Sequence, residues 1–254
     1  MSEVIDCFTF HDELDMLECR LEAMSPFVDR FALVEAGQTF QGERKPFYFL
    51  RNEKRFAPWR DRILWLGTNE LQGETTWERE YAQREHFRRL KTFGVPLDAL
   101  ILNGDVDEIP TRQAVGAAAK LAEEGLFSAF DYRLCCFAVD WEYPTTLRGT
   151  VAGKLGMIES FADMRRKRDV VEGIPNAGFH FSWMGGKEAT LRKLDSFSHT
   201  EIKDAVRPGL EAGNYLSEGR HVDGAKLVPI EVDGSFPAFI RERRCPANWF
   251  RPRG

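Results

Sequence analysis

Three acidic side chains follow one apolar segment of the sequence. The apolar run Ala99–Leu102 predicts a strand, and Asp105, Asp107 and Glu108 come shortly after it. In open α/β sheets, ligands bind beyond the carboxyl ends of the strands. Two carboxylates at positions i and i+2 can approach the same Mg²⁺ or Mn²⁺ ion, which completes its oxygen ligands with water and phosphate. The spacing therefore predicts a metal site for a nucleotide diphosphate, and the alternative is a solvated acidic loop that caps a helix.

Two of the five histidines are candidate site residues. His180 stands between two phenylalanines, and His199 follows a Ser-Phe-Ser sequence. His199 could complete the metal sphere or contact a phosphate, whereas the alternatives are a half-buried strand histidine for His180 and a surface loop for His199. His11, His86 and His221 have no acidic or cysteine spacing that predicts metal ligation.

Basic side chains are candidates for anion binding at two places. Glu80 and Arg84 lie four residues apart on one predicted helix, where they form either an exposed ion pair or a group aimed at phosphate. The cluster Arg165–Arg168 could face an anionic glycan or membrane headgroups, but a solvated basic loop is the default interpretation.

Composition and missing motifs exclude several classes of protein. Lys plus Arg is 35 and Asp plus Glu is 40, so the net charge is −5 and no basic excess predicts a nucleic-acid partner. The sequence has no Walker loop, GxGxxG, HExxH or GxSxG motif. It has no signal peptide and no apolar run long enough to span a membrane. The five cysteines form no CxxC pair, which predicts reduced, buried thiols in a cytoplasmic protein.

Apolar runs alternate with helical patterns in the first 110 residues. The runs are near-continuous, as in strands buried on both faces of a parallel sheet, and they are Val4–Phe10, Phe31–Ala36, Ile63–Leu66 and Ala99–Leu102. Three helices are predicted between and after them, with N-caps at Asp12, Thr75 and Thr111. A helix is also predicted around Lys187–Leu194, whereas the last forty residues read as irregular. The pattern predicts an α/β fold in one domain of residues 1–254.

Six motifs in this order resemble glycosyltransferase family 17, the family of β-1,4-mannosyl-glycoprotein N-acetylglucosaminyltransferases. The resemblance runs from about residue 4 to residue 202. The motifs are ELDMLECRL (13–21), VEA (34–36), WERE (77–80), GDVDEIP (104–110), GFHFSWMGG (178–186) and SFSH (196–199).

The resemblance implies a GT-A-type, Rossmann-like fold with a mostly parallel central sheet flanked by helices. It also implies a UDP-sugar donor such as UDP-GlcNAc, a divalent metal (Mn²⁺ or Mg²⁺) and inversion at the anomeric carbon. It further implies a nucleotide-binding half of about 1–110 and an acceptor-side half of about 111–254. On this sequence Asp105 and Asp107 match the metal–diphosphate aspartates, and the segments 178–186 and 196–199 match the acceptor-side and metal-side loops. Without a membrane anchor, stem or paired cysteines, the chain resembles short bacterial or viral members, for which a peripheral association with a membrane-linked glycan is possible.

The expected reaction suggests roles for further residues. Strand ends should face the nucleotide, so Phe10, His11 and Glu35 are candidates for contacts to the base and ribose. Arg84 and His180 are candidates for contacts to the donor, and His199 for the third metal ligand.

An inverting transfer needs one base for the acceptor hydroxyl. Glu201 is the first choice for this base, and Asp140 and Asp195 are the other candidates. The rival hypotheses are a sugar nucleotidyltransferase and an inactive nucleotide-sugar-binding module of the same fold. The expected partners are thus a nucleotide-sugar donor and a glycan acceptor.

Overall fold

The computed structural model describes residues 2–196, 198 and 202–251. The strands are β1 (Val4–Phe10), β2 (Arg30–Ala36), β3 (Ile63–Thr68), β4 (Leu100–Asp105), β5 (Glu108–Pro110), β6 (Ser128–Cys136), β7 (Trp141–Glu142), β8 (Leu147–Lys154), β9 (Glu172–Ile174), β10 (Gly178–Ser182) and β11 (Val228–Pro229). The α-helices are α1 (Leu14–Met24), α2 (Tyr48–Arg51), α3 (Thr76–Glu85), α4 (Arg112–Glu123), α5 (Phe161–Arg166), α6 (Gly186–Ser196), α7 (Lys203–Ala212), α8 (Asn214–Glu218) and α9 (Ala238–Arg241). Longer 3₁₀ segments cover Glu53–Arg62 and His86–Phe93.

The first half of the sheet is parallel. Its strand order is β4-β1-β2-β3, and the four strands are those that the apolar runs predict. The chain runs outward from β1 to β3 and then crosses back to place β4 on the other side of β1, which makes the β1–β4 boundary a topological switch point. The register sets Thr9 beside Asp105 there.

The second half of the sheet is mixed. β8 pairs antiparallel with both β4 and β6, and so joins this half to the parallel strands. β10 is parallel to β6 and antiparallel to β5, which places His180 beside both Leu134 and Glu108. The central sheet and its flanking helices confirm the predicted α/β class, and the pairings beyond β4 add antiparallel strands to it.

Two of the three predicted helix caps are confirmed. Thr75 forms a full capping box with Glu78 at α3, and the Thr111 side chain accepts a hydrogen bond from Ala114 N at α4. The cap predicted at Asp12 is wrong, because Glu13 occupies the N-cap position of α1. The Glu13 carboxylate turns back instead and accepts hydrogen bonds from the backbone N–H groups of His11 and Asp12.

Apolar cores lie on both faces of the sheet. The main core includes residues of α1 and α4 and also Phe236, Phe239 and Trp249 from the C-terminal region. A second core lies between the opposite face and α5, and a third surrounds the end of β6 with α6 and α7. All five cysteines are buried and unpaired, as the sequence predicts. Within the described residues, no helix has the length and apolar character of a membrane span.

Candidate functional site

The turn between β4 and β5 is held by one buried arginine. Arg20 of α1 is fully buried and forms a two-bond ion pair with Asp6 of β1, at 2.6 and 2.7 Å. Its Nη1 group donates to three backbone carbonyls of the turn, those of Asp105 (2.8 Å), Val106 (3.3 Å) and Glu108. Arg20 therefore ties the acidic turn to β1 and α1, which fixes where the acidic side chains point.

Asp105 is clamped by two arginines. Its Oδ1 accepts a hydrogen bond from Arg84 Nη2 (2.5 Å) and its Oδ2 accepts one from Arg165 Nη2 (2.7 Å). Thr9 of β1 donates to the same Oδ1 at 3.3 Å. Burial raises the pKa of Asp105, but the charges of Arg84 and Arg165 outweigh it and hold the pKa well below its usual range.

Glu108 points into the protein. Its side chain is fully buried and accepts hydrogen bonds from Arg165 and from Thr150 Oγ1 (2.8 Å). Two glycines make room for it: a Cβ at Gly149 would lie 2.7 Å from Glu108 Oε1, and a Cβ at Gly104 would lie 2.9 Å from Glu108 Oε2. Arg165 thus bridges two carboxylates of the same turn.

Asp107 points the other way, towards His180 and Lys193. Its Oδ2 lies 3.0 Å from Lys193 Nζ, and its Oδ1 lies 3.4 Å from His180 Nε2. Burial raises the pKa of Asp107, but these two cations outweigh it and lower the pKa overall. Burial lowers the pKa of Lys193 and of His180, but Asp107 more than compensates and raises the Lys193 value to about 12.

The side chains at Asp107 fit a divalent cation in part. Neighbouring ligands of an octahedral ion are about 3 Å apart, so the Asp107 Oδ1 and His180 Nε2 atoms are spaced as two ligands of one ion. Both oxygens of Asp105 are held by arginines, so its predicted role as a ligand requires one of those contacts to open. In the described parts of the chain, no group of three or more His, Cys, Asp or Glu side chains could hold a metal. The remaining ligands would be water and donor phosphates.

These groups line a cleft of about 750 Å³ at the switch point of the sheet. Six of the sequence-predicted site residues lie in its wall, namely Phe10, His11, Arg84, Asp105, Asp107 and His180. His199 and Glu201, the predicted third ligand and first-choice base, lie outside the described residues. The cleft has the volume of a small-molecule site.

The other predicted site residues are engaged away from the cleft. Glu35 is fully buried and accepts hydrogen bonds from Phe49 N and Trp65 Nε1, both at 3.2 Å. Asp140 accepts two hydrogen bonds from Arg251, from its backbone N and its Nε group. Asp195 pairs with Lys203 at 2.9 Å and with Arg207. None of these three carboxylates is among the described residues that line the cleft.

The basic cluster Arg165–Arg168 is only partly the solvated loop that the sequence predicts. Arg165 is 7% exposed and holds Asp105 and Glu108, so the reading as a solvated loop is wrong for this residue. Arg166 and Arg168 do lie at the surface, where they line the rim of the cleft. Arg20 and Lys193 are site residues that the sequence did not single out, because an arginine or lysine in a helical pattern looks the same whether it is solvated or buried in an ion pair.

Trp183 also lines the cleft. It follows β10 with a left-handed backbone (φ 61°), an unusual conformation for a bulky residue, and Lys193 Nζ lies 5.9 Å from its ring centroid. Trp141 packs beside Gly219 and is not among the described residues that line the cleft.

The model of glycosyltransferase family 17 matches residues 1–208, which include the acidic turn, β10 and α6. The chain belongs to glycosyltransferase family 17. Membership and the parallel β1–β4 half identify the fold as GT-A-type and Rossmann-like, and they support glycosyl transfer from a nucleotide-sugar donor to a glycan acceptor in general.

Solved structures similar to this family 17 chain are distant. A 4-diphosphocytidyl-2C-methyl-D-erythritol synthase matches at 12% identity and a TM-score of 0.42, covering 70% of this chain and 90% of its own. Mannose-6-phosphate isomerase from Helicobacter pylori matches at 12% identity and a TM-score of 0.38, covering 61% and 72%. An active-site mutant of LgtC matches at 15% identity and a TM-score of 0.34, covering 66% and 65%. No curated protein matches the chain.

Proposed function

We propose that this chain is a metal-dependent inverting glycosyltransferase that moves N-acetylglucosamine from UDP-GlcNAc to a hydroxyl of a glycan. The observation that carries the proposal is the Asp107–His180 pair at the carboxyl end of β4, inside the cleft of a family 17 chain. The arginine clamp on Asp105 keeps the turn rigid beside it.

The donor would lie along the ends of β1 and β4. Phe10 and His11 line the cleft where β1 ends, and Lys45 lines it from the loop after β2. We infer that these side chains contact the base and ribose. Arg166 and Arg168 at the rim, together with Lys193, add positive charge for the diphosphate.

The chemistry needs charge neutralisation on the leaving diphosphate. Asp107 and His180 would hold the cation, which when bound acts as a Lewis acid towards that diphosphate. Lys193 remains on the second oxygen of Asp107 and keeps this carboxylate ionised and oriented. The acceptor hydroxyl attacks the opposite face of the anomeric carbon, so the configuration inverts in one displacement.

Calorimetric titration with UDP, with and without Mn²⁺, tests the proposal. We expect tight binding only with Mn²⁺, and we expect Asp107→Asn to weaken it by about tenfold or more, because the substitution removes one charged ligand. Asp61→Asn, at an exposed position away from the cleft, is the matched control and should bind like the wild type.

A companion assay with UDP-GlcNAc and free sugars identifies the reaction. Release of UDP supports transfer, whereas pyrophosphate release from UTP and a sugar phosphate supports a nucleotidyltransferase. Binding of UDP without any turnover supports an inactive binding module. Binding of UDP that is unchanged in Asp107→Asn contradicts the metal assignment.

A further inference from the structure

A histidine–aspartate pair lies in the cleft wall, away from the acidic turn. His221 lines the cleft, and its Nδ1 atom lies 3.0 Å from Asp223 Oδ1. The Asp223 carboxylate also accepts hydrogen bonds from the Tyr143 hydroxyl (2.7 Å) and from Ala225 N (2.9 Å). The Tyr143 ring packs edge-on against the imidazole, with ring centroids 5.0 Å apart. The Asp223 contact and the Tyr143 ring therefore restrict the orientation of the imidazole.

This orientation leaves the second imidazole nitrogen available. Nδ1 is buried 3.0 Å from the Asp223 carboxylate, although not in hydrogen-bond geometry, so Nε2 is the nitrogen left to accept a proton. No group among the described residues forms a hydrogen bond to Nε2 of His221. A backbone turn, closed by a hydrogen bond of 2.8 Å from His221 N to Ala225 O, fixes the segment that carries both residues.

The pairing of the strands shows how the segment beside His221 lies relative to His180. His180 lies opposite Leu134 in the β10–β6 register, and Tyr143 N donates to Leu134 O at 2.7 Å from the other side. Register partners point to the same face, so His180 and Tyr143 lie on one face, two strand spacings or about 10 Å apart. His221 and the residues of the acidic turn line the same cleft of about 750 Å³, a volume that has room for a sugar.

We propose that Nε2 of His221 is the general base of the transfer, with Asp223 and Tyr143 as positioning residues; this inference rests on the proposed glycosyl transfer. The acceptor O–H gives its proton to Nε2 while its oxygen forms the bond to the anomeric carbon. The bond from that carbon to the diphosphate oxygen breaks, and its electron pair leaves with UDP. The imidazolium then loses its proton to solvent.

The acids that line the cleft are less suited to this role. Asp105 and Asp107 are held by cations that lower their pKa values, and Glu108 points inward to Arg165. Glu13 accepts two backbone hydrogen bonds, Glu80 contacts Arg84 and Ser198, and Asp169 lies 3.7 Å from Arg168. A general base needs a lone pair directed at the substrate, and histidine is the side chain most often used.

The assignment comes from geometry and not from the family. The match to glycosyltransferase family 17 ends at residue 208, before His221. Glu201, the base that the sequence suggests, lies within the match but outside the described residues. The two assignments differ in their consequences and can be separated in one assay.

The test measures UDP release from UDP-GlcNAc and Mn²⁺ with mannose and N-acetylglucosamine as acceptors, and UDP binding by calorimetry. We expect His221→Gln to lower kcat by about 100-fold or more while the Kd for UDP stays within twofold of the wild type (about 0.4 kcal/mol). Asp223→Asn should lower kcat in the same direction. His86→Gln, on a 3₁₀ segment that does not line the cleft, is the matched control.

Chemical rescue separates a base from a merely structural histidine. External imidazole should restore part of the turnover of His221→Ala and should not affect Glu201→Gln. Retained UDP binding in His221→Gln shows that this variant is folded, and His221→Asn replaces it if binding is lost.

Turnover of both variants, His221→Gln and His221→Asn, within twofold of the wild type overturns the base assignment, as does loss of turnover in Glu201→Gln alone. A wild-type protein that releases no UDP with either acceptor overturns the transfer itself and the base with it.

Discussion

The three carboxylates after β4 have three different sets of partners. Asp105 is held by two arginines, Asp107 contacts a histidine and a lysine, and Glu108 is buried against Arg165 and Thr150. The turn between β4 and β5 directs Asp107 away from Asp105 and Glu108, which share Arg165. Three acidic residues in sequence thus form one clamp, one candidate cation ligand and one internal anchor.

His11 makes the stability of the protein depend on pH. Burial lowers its pKa to about 4, with Lys45, Arg192 and Lys193 acting in the same direction and Asp12 opposing them. In the unfolded chain the value is about 6.5, so folding favours the neutral imidazole. The contribution of His11 is full above pH 6.5 and is lost as the pH falls towards 4.

We expect His11→Gln to flatten this dependence. The free energy of unfolding of the wild type should fall more steeply over that pH range than that of the variant, by at most about 1.4 kcal/mol per pH unit. Urea unfolding at a series of pH values measures both curves. Parallel curves for the two proteins would contradict the assignment of a neutral, buried His11.

The sequence predicts the location of a side chain where its position on a helix or strand determines which residues surround it. Asp105 and Asp107 follow a buried strand at the edge where ligands bind, so the cleft location of both follows from the sequence. Glu35 also ends a strand, but the Phe49 and Trp65 groups that cover it belong to distant elements. No local sequence pattern shows that the Glu35 carboxylate accepts hydrogen bonds from buried groups of the protein.

At the scale of elements, the parallel strands and the capped helices were predicted from local signals. Near-continuous apolar runs define β1 to β4, and Thr75 and Thr111 supply caps whose chemistry is local. The pairing of β8 between β4 and β6 could not be predicted, because it depends on contacts between strands distant in sequence. A short strand has too few residues for its hydrophobic pattern to indicate which strand it pairs with, or in which direction.

β8 carries a glycine that the site requires. A Cβ at Gly149 would lie within 3.0 Å of Glu108 and Tyr132, and Glu108 is held in place by Arg165 and Thr150. We expect Gly149→Ala to destabilise the protein by about 1–3 kcal/mol, because a fully packed, ion-paired group must shift. Urea unfolding gives the free energy of unfolding.

Gly116 is the matched control for that substitution. It lies exposed within α4, and a Cβ there would meet no atom within 4 Å. Gly116→Ala should therefore stabilise the protein by about 0.5–1 kcal/mol through the better helix propensity of alanine. Equal effects at the two glycines would show that Glu108 moves freely.

At the scale of the whole molecule, the C-terminal region completes the main core. The sequence predicts an irregular segment there, and its elements are indeed short, but Phe236, Phe239 and Trp249 are buried against residues of the first half. Pro and Gly content predicts irregular backbone, yet it does not show whether the side chains of such a segment are buried. The fold therefore extends beyond the residues that match the family.

Phe239 tests this contribution. We expect Phe239→Ala to lower the free energy of unfolding by about 3–5 kcal/mol, because it removes a buried aromatic ring from the core. Phe93→Ala, at a phenylalanine that is 43% exposed, should change it by about 0.5 kcal/mol or less. Chemical denaturation followed by tryptophan fluorescence measures both, and a small effect at Phe239 would mean that the C-terminal region is not part of the cooperative unit.

The arginine bridge between Asp105 and Glu108 also limits how this chain can evolve. Arg165 serves both carboxylates at once through its planar, forked guanidinium, a geometry that lysine does not reproduce. Changing Arg165 leaves the buried Glu108 without its cation, and changing either carboxylate removes one of the two charges that hold Arg165, so the effects of these substitutions are not additive. A related protein that lacks one of these three residues is therefore expected to differ at the other two as well.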